Sequence, residues 1–267
     1  MFDFTEEELH RYSRHILLQD VGVEGQEKIR QAKVLIVGLG GLGSPVALYL
    51  AAAGIGTIGL ADGDVVDISN LQRQVIHTTA DVGQPKVVSA MQKIHAINPH
   101  VKVNMHQLFV RSDNVLDLIR NYDFIVDGTD NFGVKFLIND ACVRAGKPFS
   151  HGGLLRFEGQ TFTYLPGTAC YRCLFGAPPP AGTVPTCSEA GILGAIAGML
   201  GTIQATEVLK FFTEAGTLLT NSLLTFDARN MEFQKISTHR RENCPVCGKH
   251  PTIMELVDME QPSCSLK

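Results

Sequence analysis

The glycine-rich segment GLGGLG at residues 38–43 is the feature that most limits what this chain can fold into. It matches G-x-G-x-x-G, follows the apolar run KVLIVG (33–38) and leads into the Ala-rich helical pattern SPVALYLAAAG (44–54). Between a strand and a helix, such glycines let backbone amides approach a phosphate at the helix N-terminus. The segment therefore predicts a βαβ unit that binds NAD, FAD or ATP; glycines used only for tight turning and packing are the alternative. The candidate phosphate-loop residues are Gly38, Gly40, Gly41 and Gly43.

Strand and helix patterns alternate from residue 33 to residue 153. This alternation predicts a mostly parallel sheet with helices on both faces. After Gly153, the run GQTFTYL (159–165) alternates like an antiparallel strand. The predicted fold class is α/β, a Rossmann-like, mostly parallel sheet extended by antiparallel strands. Strands are expected near 33–38, 57–62, 101–106, 123–130, 148–153, 159–165 and within 219–236, and helices near 5–18, 44–54, 86–97, 112–121, 131–145 and 188–212.

Charge and hydropathy narrow the class of protein further. The 23 Lys and Arg residues against 27 Asp and Glu residues give a net charge of -4, which argues against a nucleic-acid-binding surface because such surfaces need clustered cations. Residues 1–18 show no secretory signal. The uncharged run 34–61 is broken by glycines and Pro45, and the run 190–206 is shorter than the ~20 residues of a spanning helix. We therefore expect a cytoplasmic protein with no membrane segment and no nucleic-acid partner.

Charged and amide side chains follow the second predicted strand. Asp62 lies 24 residues after Gly38, where a carboxylate accepts hydrogen bonds from ribose hydroxyls. Two cations, Arg73 and Lys86, come next and suit a triphosphate with a pyrophosphate leaving group better than a dinucleotide. Taken singly, a cation of this kind is most often a solvated surface group. The candidate nucleotide ligands of this segment are Asp62, Asp64, Asn70, Arg73, Gln74 and Lys86.

A second acidic strand end, DGTDN, occupies residues 127–131. Open α/β sheets bind ligands at the carboxyl ends of their strands, and Mg²⁺ prefers carboxylate and phosphate oxygens. Asp130 is therefore the candidate magnesium ligand, and Asn131 beside it is a candidate nucleotide ligand. The alternative is that Asp130 or Asn131 only caps the helix that follows.

Seven cysteines in a chain without an export signal indicate metal ligands or a reactive thiol more than disulfides. Cys170 and Cys173 form one C-x-x-C pair, and Cys244 and Cys247 form a second within CPVCG. Four thiolates at this spacing indicate a structural, tetrahedral Zn²⁺ site, with two unrelated thiol pairs as the alternative. Cys187 precedes a predicted helix, whose N-terminus would lower its pKa, and is a candidate nucleophile; a lone loop cysteine is more often inert.

Together, the motifs resemble the MoeB/ThiF family, bacterial adenylyltransferases similar to ubiquitin-activating enzymes. RYSRH, GLGGLGSP, SNLQRQ, GQPK, DGTDN, CYRC and CPVCG occur in the family's order over nearly the whole chain. The resemblance implies a reaction that depends on ATP and Mg²⁺, in which the C-terminal glycine carboxylate of a ubiquitin-like sulfur carrier attacks the α-phosphate. The products are a carrier acyl-adenylate and pyrophosphate.

The resemblance also implies roles for individual residues. Arg14 resembles the arginine that family members insert into the neighbouring subunit's site, which implies a homodimer with two composite sites. In ThiF-type members, a cysteine placed like Cys187 can join the carrier covalently, whereas in MoeB-type members its counterpart is dispensable. The other implied roles are Gly40 and Gly41 in the phosphate loop, Asp62 on the ribose, Asn70, Arg73 and Lys86 on the triphosphate, Asp130 on Mg²⁺, and the four paired cysteines on Zn²⁺.

One adenylation domain is expected over 1–267: an N-terminal helical arm (1–30), a nucleotide-binding core (31–153), a carrier- and zinc-binding half (154–248) and a tail (249–267). Twenty residues follow Cys247, so the sulfur donor is expected to be a separate protein. RYSRHILL and VGQPKV favour the MoeB type, which acts on a MoaD-like carrier in molybdopterin biosynthesis. A ThiS-like carrier of thiamine biosynthesis and a carrier of cysteine biosynthesis are the alternatives.

Two functions of other classes are also considered. An NAD-dependent oxidoreductase accounts for the glycine-rich segment and Asp62, but it leaves Arg73, Lys86 and the cysteine pairs unexplained. A non-catalytic scaffold that binds a ubiquitin-like tail does not require the joint presence of Arg14 and the other candidate catalytic residues. One departure from the family is Gly128, where the family often has cysteine; the change leaves the neighbouring acids in place.

Overall fold

The computed structural model describes residues 3–179 and 190–259. Its strands are β1 (Lys33–Val37), β2 (Thr57–Ala61), β3 (Lys102–His106), β4 (Phe124–Asp127), β5 (Phe149–Leu155), β6 (Glu158–Tyr164), β7 (Ser222–Asp227) and β8 (Glu232–Ser237). They form one eight-stranded sheet in the order β3-β2-β1-β4-β5-β6-β7-β8. Pairing is parallel from β3 to β5 and antiparallel from β5 to β8. The predicted fold class is confirmed.

Helices cover both faces of the central strands. The helices are α1 (Glu6–Arg11), α2 (Ser13–Ile16), α3 (Gly22–Gln31), α4 (Gly43–Ala53), α5 (Lys86–Ile97), α6 (Val115–Arg120), α7 (Phe132–Ala145), α8 (Tyr171–Phe175) and α9 (Gly194–Thr213). On β1, Val34 and Ile36 pack with residues of α4, α5 and α9. Leu35 and Val37 pack with residues of α6, α7 and α8. Burial of β1 on both faces explains its continuous apolar sequence.

The N-terminal arm differs from its prediction. The single helix expected over 5–18 is two short helices, because the backbone leaves the helical path at Tyr12 (φ −97°, ψ 11°). The Tyr12 ring is buried beside Gly54, where an added Cβ would lie 2.5 Å from the tyrosine Oη. The amide of Asn98 donates a hydrogen bond to that Oη at 2.8 Å. Tyr12 therefore anchors the arm to the core.

Two helices, α3 and α8, are absent from the sequence prediction. In α3, a Cβ added at Gly25 would lie 3.0 Å from a methyl of Val21 and 3.3 Å from a methyl of Thr213 in α9. The small residue thus allows close helix packing. The helix predicted over 188–212 begins at Gly194 within the described residues, and Cys187 lies outside them. Within 3–179 and 190–259, no helix combines the length and apolar character needed to cross a membrane.

Candidate active site and metal centre

The glycines between β1 and α4 have different surroundings. Gly38 has a left-handed backbone (φ +87°), and an added Cβ would lie 2.9 Å from the carbonyl oxygen of Gly128. A Cβ at Gly43 would lie 1.8 Å from the carbonyl oxygen of Gly38. At Gly40, the added Cβ meets only the amide of Gln74, at 3.7 Å. Packing therefore requires Gly38 and Gly43, whereas Gly40 leaves backbone surface that a phosphate can approach.

Asp62 joins the end of β2 to this loop. Its carboxylate accepts hydrogen bonds from the backbone N–H groups of Leu39 and Asp64, both at 2.8 Å. Burial raises the pKa of Asp62, while the Lys86 ammonium and the two N–H donors act in the opposite direction. Each carboxylate oxygen has a further lone pair, so the side chain can shape the loop and still accept a ribose hydroxyl.

Two cations lie near the loop. Lys86, the first residue of α5, is buried and its Nζ lies 2.9 Å from the exposed carboxylate of Asp64. Arg73 donates to the carbonyl oxygen of Ser69 at 3.0 Å, and its Cγ lies 3.5 Å from the position of a Cβ on Gly41. Arg73 has no carboxylate partner among the described residues. Its charge is therefore available to an anion.

The two amides of this segment differ in their surroundings. Asn70 accepts a hydrogen bond from the backbone N–H of Asp67 at 3.2 Å and completes the capping box of a 3-10 turn over Ile68–Asn70. Gln74 is buried, and its Oε1 has no hydrogen-bond partner in the described part of the chain. A buried, unpaired amide oxygen costs free energy unless a ligand or water supplies a donor. Gln74 is therefore the stronger ligand candidate of the two.

The loop between β4 and α7 packs on the glycine loop. A Cβ at Gly128 would lie 2.9 Å from the carbonyl oxygen of Gly38, so a side chain at position 128 would require the two loops to shift slightly apart. Asn131 caps α7 by accepting a hydrogen bond from the backbone N–H of Val134 at 3.0 Å. Asp130 is exposed and forms no hydrogen bond or ion pair within 3–179 and 190–259. A free carboxylate at this edge of the sheet suits a hard cation such as Mg²⁺.

His77 is a residue of this region that no sequence motif marks. Its Nε2 lies 3.2 Å from the carbonyl oxygen of Leu39 and its Nδ1 lies 2.8 Å from the hydroxyl of Ser89. Because a carbonyl oxygen only accepts, Nε2 carries the proton. Burial lowers the pKa of His77 to about 4. His77 is thus a neutral side chain that stabilises the glycine loop by its hydrogen bond to Leu39.

Arg14 is the one candidate catalytic residue that lies on the N-terminal arm. It is exposed on α2 and forms no hydrogen bond or ion pair with the described residues, including those of the glycine loop. Leu17 and Leu18 beside it are 72% and 54% exposed. The arm therefore presents a free cation together with an apolar surface.

The four paired cysteines form one buried cluster. All four Sγ atoms lie within 4.8 Å of one another. The Sγ atoms of Cys173 and Cys247 are 3.4 Å apart, and those of Cys170 and Cys244 are 3.7 Å apart. Tetrahedral zinc with Zn–S bonds of ~2.3 Å requires S–S distances of about 3.8 Å, so the cluster fits Zn²⁺. The backbone N–H of Arg241 donates to Sγ of Cys173 at 3.3 Å, which favours a thiolate.

The sequence profile of the ThiF family matches residues 12–246. This chain belongs to the ThiF family. The predicted MoeB/ThiF resemblance is therefore confirmed at the level of the family.

Relatives of this ThiF-family chain include enzymes with named activities. It is 45% identical over 263 residues to the sulfur carrier protein adenylyltransferase of Thermus thermophilus, covering 96% of this chain and 97% of that protein. It is 47% identical over 262 residues to the probable adenylyltransferase/sulfurtransferase MoeZ of Mycobacterium tuberculosis, covering 96% of this chain and 65% of MoeZ. A crystal structure of E. coli MccB with ATP matches with a TM-score of 0.79 and 27% identity, covering 89% of this chain and 74% of MccB.

Proposed function

We propose that this ThiF-family protein catalyses the ATP-dependent adenylation of the C-terminal glycine carboxylate of a ubiquitin-like sulfur carrier and releases pyrophosphate. The observation that carries the proposal is the glycine loop with open backbone at Gly40 beside two cations. The Thermus thermophilus relative supports it, because it is named for this activity and aligns over almost its whole length. The likeness to MccB, which was crystallised with ATP, supports ATP as the nucleotide.

The charges of the site suit this reaction. A carboxylate that approaches a triphosphate is repelled by it, and pyrophosphate leaves with added negative charge. Arg73 and Lys86 are the cations that we assign to offset both effects, with Arg14 added from a second subunit. Asp130 would hold Mg²⁺, which when bound would neutralise phosphate oxygens. No general base is required, because the attacking carboxylate is ionised at neutral pH.

We assign a structural Zn²⁺ ion to the four paired cysteines. Zinc held by four thiolates has no open position for substrate. It would link α8 to the loop after β8 and so hold the antiparallel half of the sheet to the C-terminal segment.

We also propose a homodimer with composite sites. The exposed Leu17 and Leu18 would be buried by a second copy, and the same contact would carry the unpaired Arg14 to the partner's site. Mixing Arg14→Ala and Asp130→Ala proteins tests this. Recovered activity in the mixture, with each variant inactive alone, is expected because one site of each heterodimer would be intact. No recovery would contradict the composite site.

The experiment that tests the function is carrier-dependent exchange of pyrophosphate into ATP by zinc-loaded protein. MoaD-like and ThiS-like carriers ending in Gly-Gly are compared, with a tail-truncated carrier as the control. Exchange that needs the intact tail is expected, and the preferred carrier identifies the pathway. Absence of exchange with both carriers would contradict the proposal in this form. The separate sulfur donor, covalent capture by Cys187 and a cytoplasmic location stay predictions.

A further inference from the structure

Three titratable side chains are buried between β4, β5 and α7, outside the set of candidate ligands. Asp127 and His151 are each 1% exposed, and Lys135 is 5% exposed. The Lys135 Nζ and the His151 Nδ1 each lie 3.0 Å from Oδ2 of Asp127. Lys135 also donates to the carbonyl oxygen of Gly152 at 2.6 Å. We refer to Asp127, Lys135 and His151 as the buried charge cluster.

The protonation states in the cluster follow from its geometry. Burial opposes ionisation of Asp127, but the Lys135 ammonium and the hydrogen bonds from His151 and Thr129 hold its pKa well below the usual value. Burial, together with the charge of Lys135, lowers the pKa of His151 to about 4, so this imidazole is neutral. Because a carboxylate only accepts, His151 donates from Nδ1. Both donors thus occupy one oxygen of Asp127.

Stability alone does not account for this arrangement. The desolvation of two buried charges largely cancels their attraction, and apolar side chains of similar size often serve a fold as well or better. The cluster also lies at the carboxyl end of β4, because Asp127 is the last residue of that strand. Ligands bind at this end of the strands in open α/β sheets.

The second oxygen of Asp127 holds the loop that carries Asp130. Its Oδ1 accepts from the backbone N–H of Thr129 at 3.1 Å and from the Thr129 hydroxyl at 2.7 Å. On the other side of Asp130, the Asn131 side chain accepts from the N–H of Val134 and caps α7. Hydrogen bonds therefore fix the residues on either side of Asp130, Thr129 and Asn131, while the Asp130 carboxylate itself has no partner among the described residues.

We propose that Asp127 is a positioning residue: secured by Lys135 and His151, it fixes Thr129 and so presents the Asp130 carboxylate to the nucleotide and its Mg²⁺. This inference rests on the proposed adenylation function and adds four residues to it, Asp127, Thr129, Lys135 and His151. It assigns no substrate contact to the cluster.

The test removes one hydrogen bond and keeps the shape of the side chain. Thr129→Val removes the hydroxyl that donates a hydrogen bond to Asp127, and Thr129→Ser keeps a hydroxyl at this position. The matched control is Thr163→Val, because the Thr163 hydroxyl donates at 2.6 Å to the buried carboxylate of Glu207 away from this loop. The measurements are kcat and KM for pyrophosphate exchange, ATP affinity by calorimetry with and without Mg²⁺, and the ¹H–¹⁵N NOE of the Asp130 amide.

Thr129→Val should lower kcat roughly ten- to hundredfold, the loss expected from one hydrogen bond to a charged group. It should also abolish the gain in ATP affinity from Mg²⁺, leave ATP affinity without Mg²⁺ unchanged, and lower the NOE of Asp130. Thr129→Ser should behave as wild type, and Thr163→Val should lower only the melting temperature. Wild-type kcat and Mg²⁺ dependence in Thr129→Val would overturn the inference. If wild type shows no exchange, the proposed function fails, and an unchanged Asp130 NOE in Thr129→Val then overturns the positioning role separately.

Discussion

Replacing Gly40 with alanine should weaken ATP binding while leaving the protein folded. The added Cβ would meet only the Gln74 amide, at an ordinary contact distance of 3.7 Å, and the backbone at Gly40 is not left-handed. The unfolding free energy should therefore change by less than about 1 kcal/mol. The methyl group would cover backbone that a phosphate oxygen has to approach. Loss of one charge-assisted hydrogen bond costs about 1.5–3 kcal/mol, which is roughly a ten- to hundredfold rise in Kd.

Gly43→Ala is the matched comparison, because it tests packing in the same loop. Its Cβ would lie 1.8 Å from the carbonyl oxygen of Gly38, a backbone atom that cannot rotate away as the end of a flexible side chain can. We expect destabilisation at or above ~3 kcal/mol, the upper end of overpacking costs. Urea unfolding measures stability, and calorimetric titration with ATP and Mg²⁺ measures affinity. If Gly40→Ala is folded and binds ATP with wild-type affinity, phosphate binding by this loop is refuted. If Gly40→Ala is unfolded, the claim that position 40 has room for a methyl group is refuted.

Three further predictions concern the metal centre, pH and the tail. Cys244→Ser should lower bound zinc below one ion per chain and lower the melting temperature, because a tetrahedral thiolate site loses a ligand; metal analysis with a full equivalent retained would contradict the ligand set. The free energy of unfolding should fall as the pH falls from 6.5 to about 4, because His77 binds a proton in the unfolded chain but not when buried in the folded protein; this loss reaches about 3 kcal/mol. Urea unfolding at pH 7 and pH 5 should therefore show a smaller difference in stability for His77→Gln than for wild type. Gly133→Ala should release the tail, because the added Cβ would lie 2.6 Å from the Met259 carbonyl oxygen. Limited proteolysis should then cut residues 249–259 faster than in wild type or in the control Gly198→Ala, where the added Cβ meets nothing within 4 Å. Equal cleavage rates would contradict the contact.

Much of the fold could be predicted because its signals are local. Helix α5 begins and ends where the periodicity predicts, at 86 and 97, and the order of strands and helices follows from alternation of the two periods. Helix α3 was missed because its two glycines weaken a helical pattern, and the reason that Gly25 is tolerated lies in α9, far along the chain. The break at Tyr12 was missed for a similar reason: its ring packs on Gly54.

The candidate site divides in the same way. Asp127 follows three apolar residues at the end of β4, which indicates a buried carboxylate that needs a hydrogen-bond or ion-pair partner. Which residues serve as that partner depends on how α7 and β5 pack against β4. Lys135 and His151 are 8 and 24 residues away in sequence from the carboxylate that they contact. No short motif joins residues at those separations.

By itself, the sequence determined that a glycine-rich loop joins a buried strand to a helix and that four cysteines occur in two matched pairs, because both signals depend on neighbouring residues. Only the tertiary structure decided that Gly38 is tightly packed while Gly40 is open, since the atoms nearest to their added Cβ positions belong to Gly128 and Gln74, far along the chain. It also decided that both pairs of cysteines meet in one cluster. The physical reason is that excluded volume and buried charge act between residues that only folding brings together.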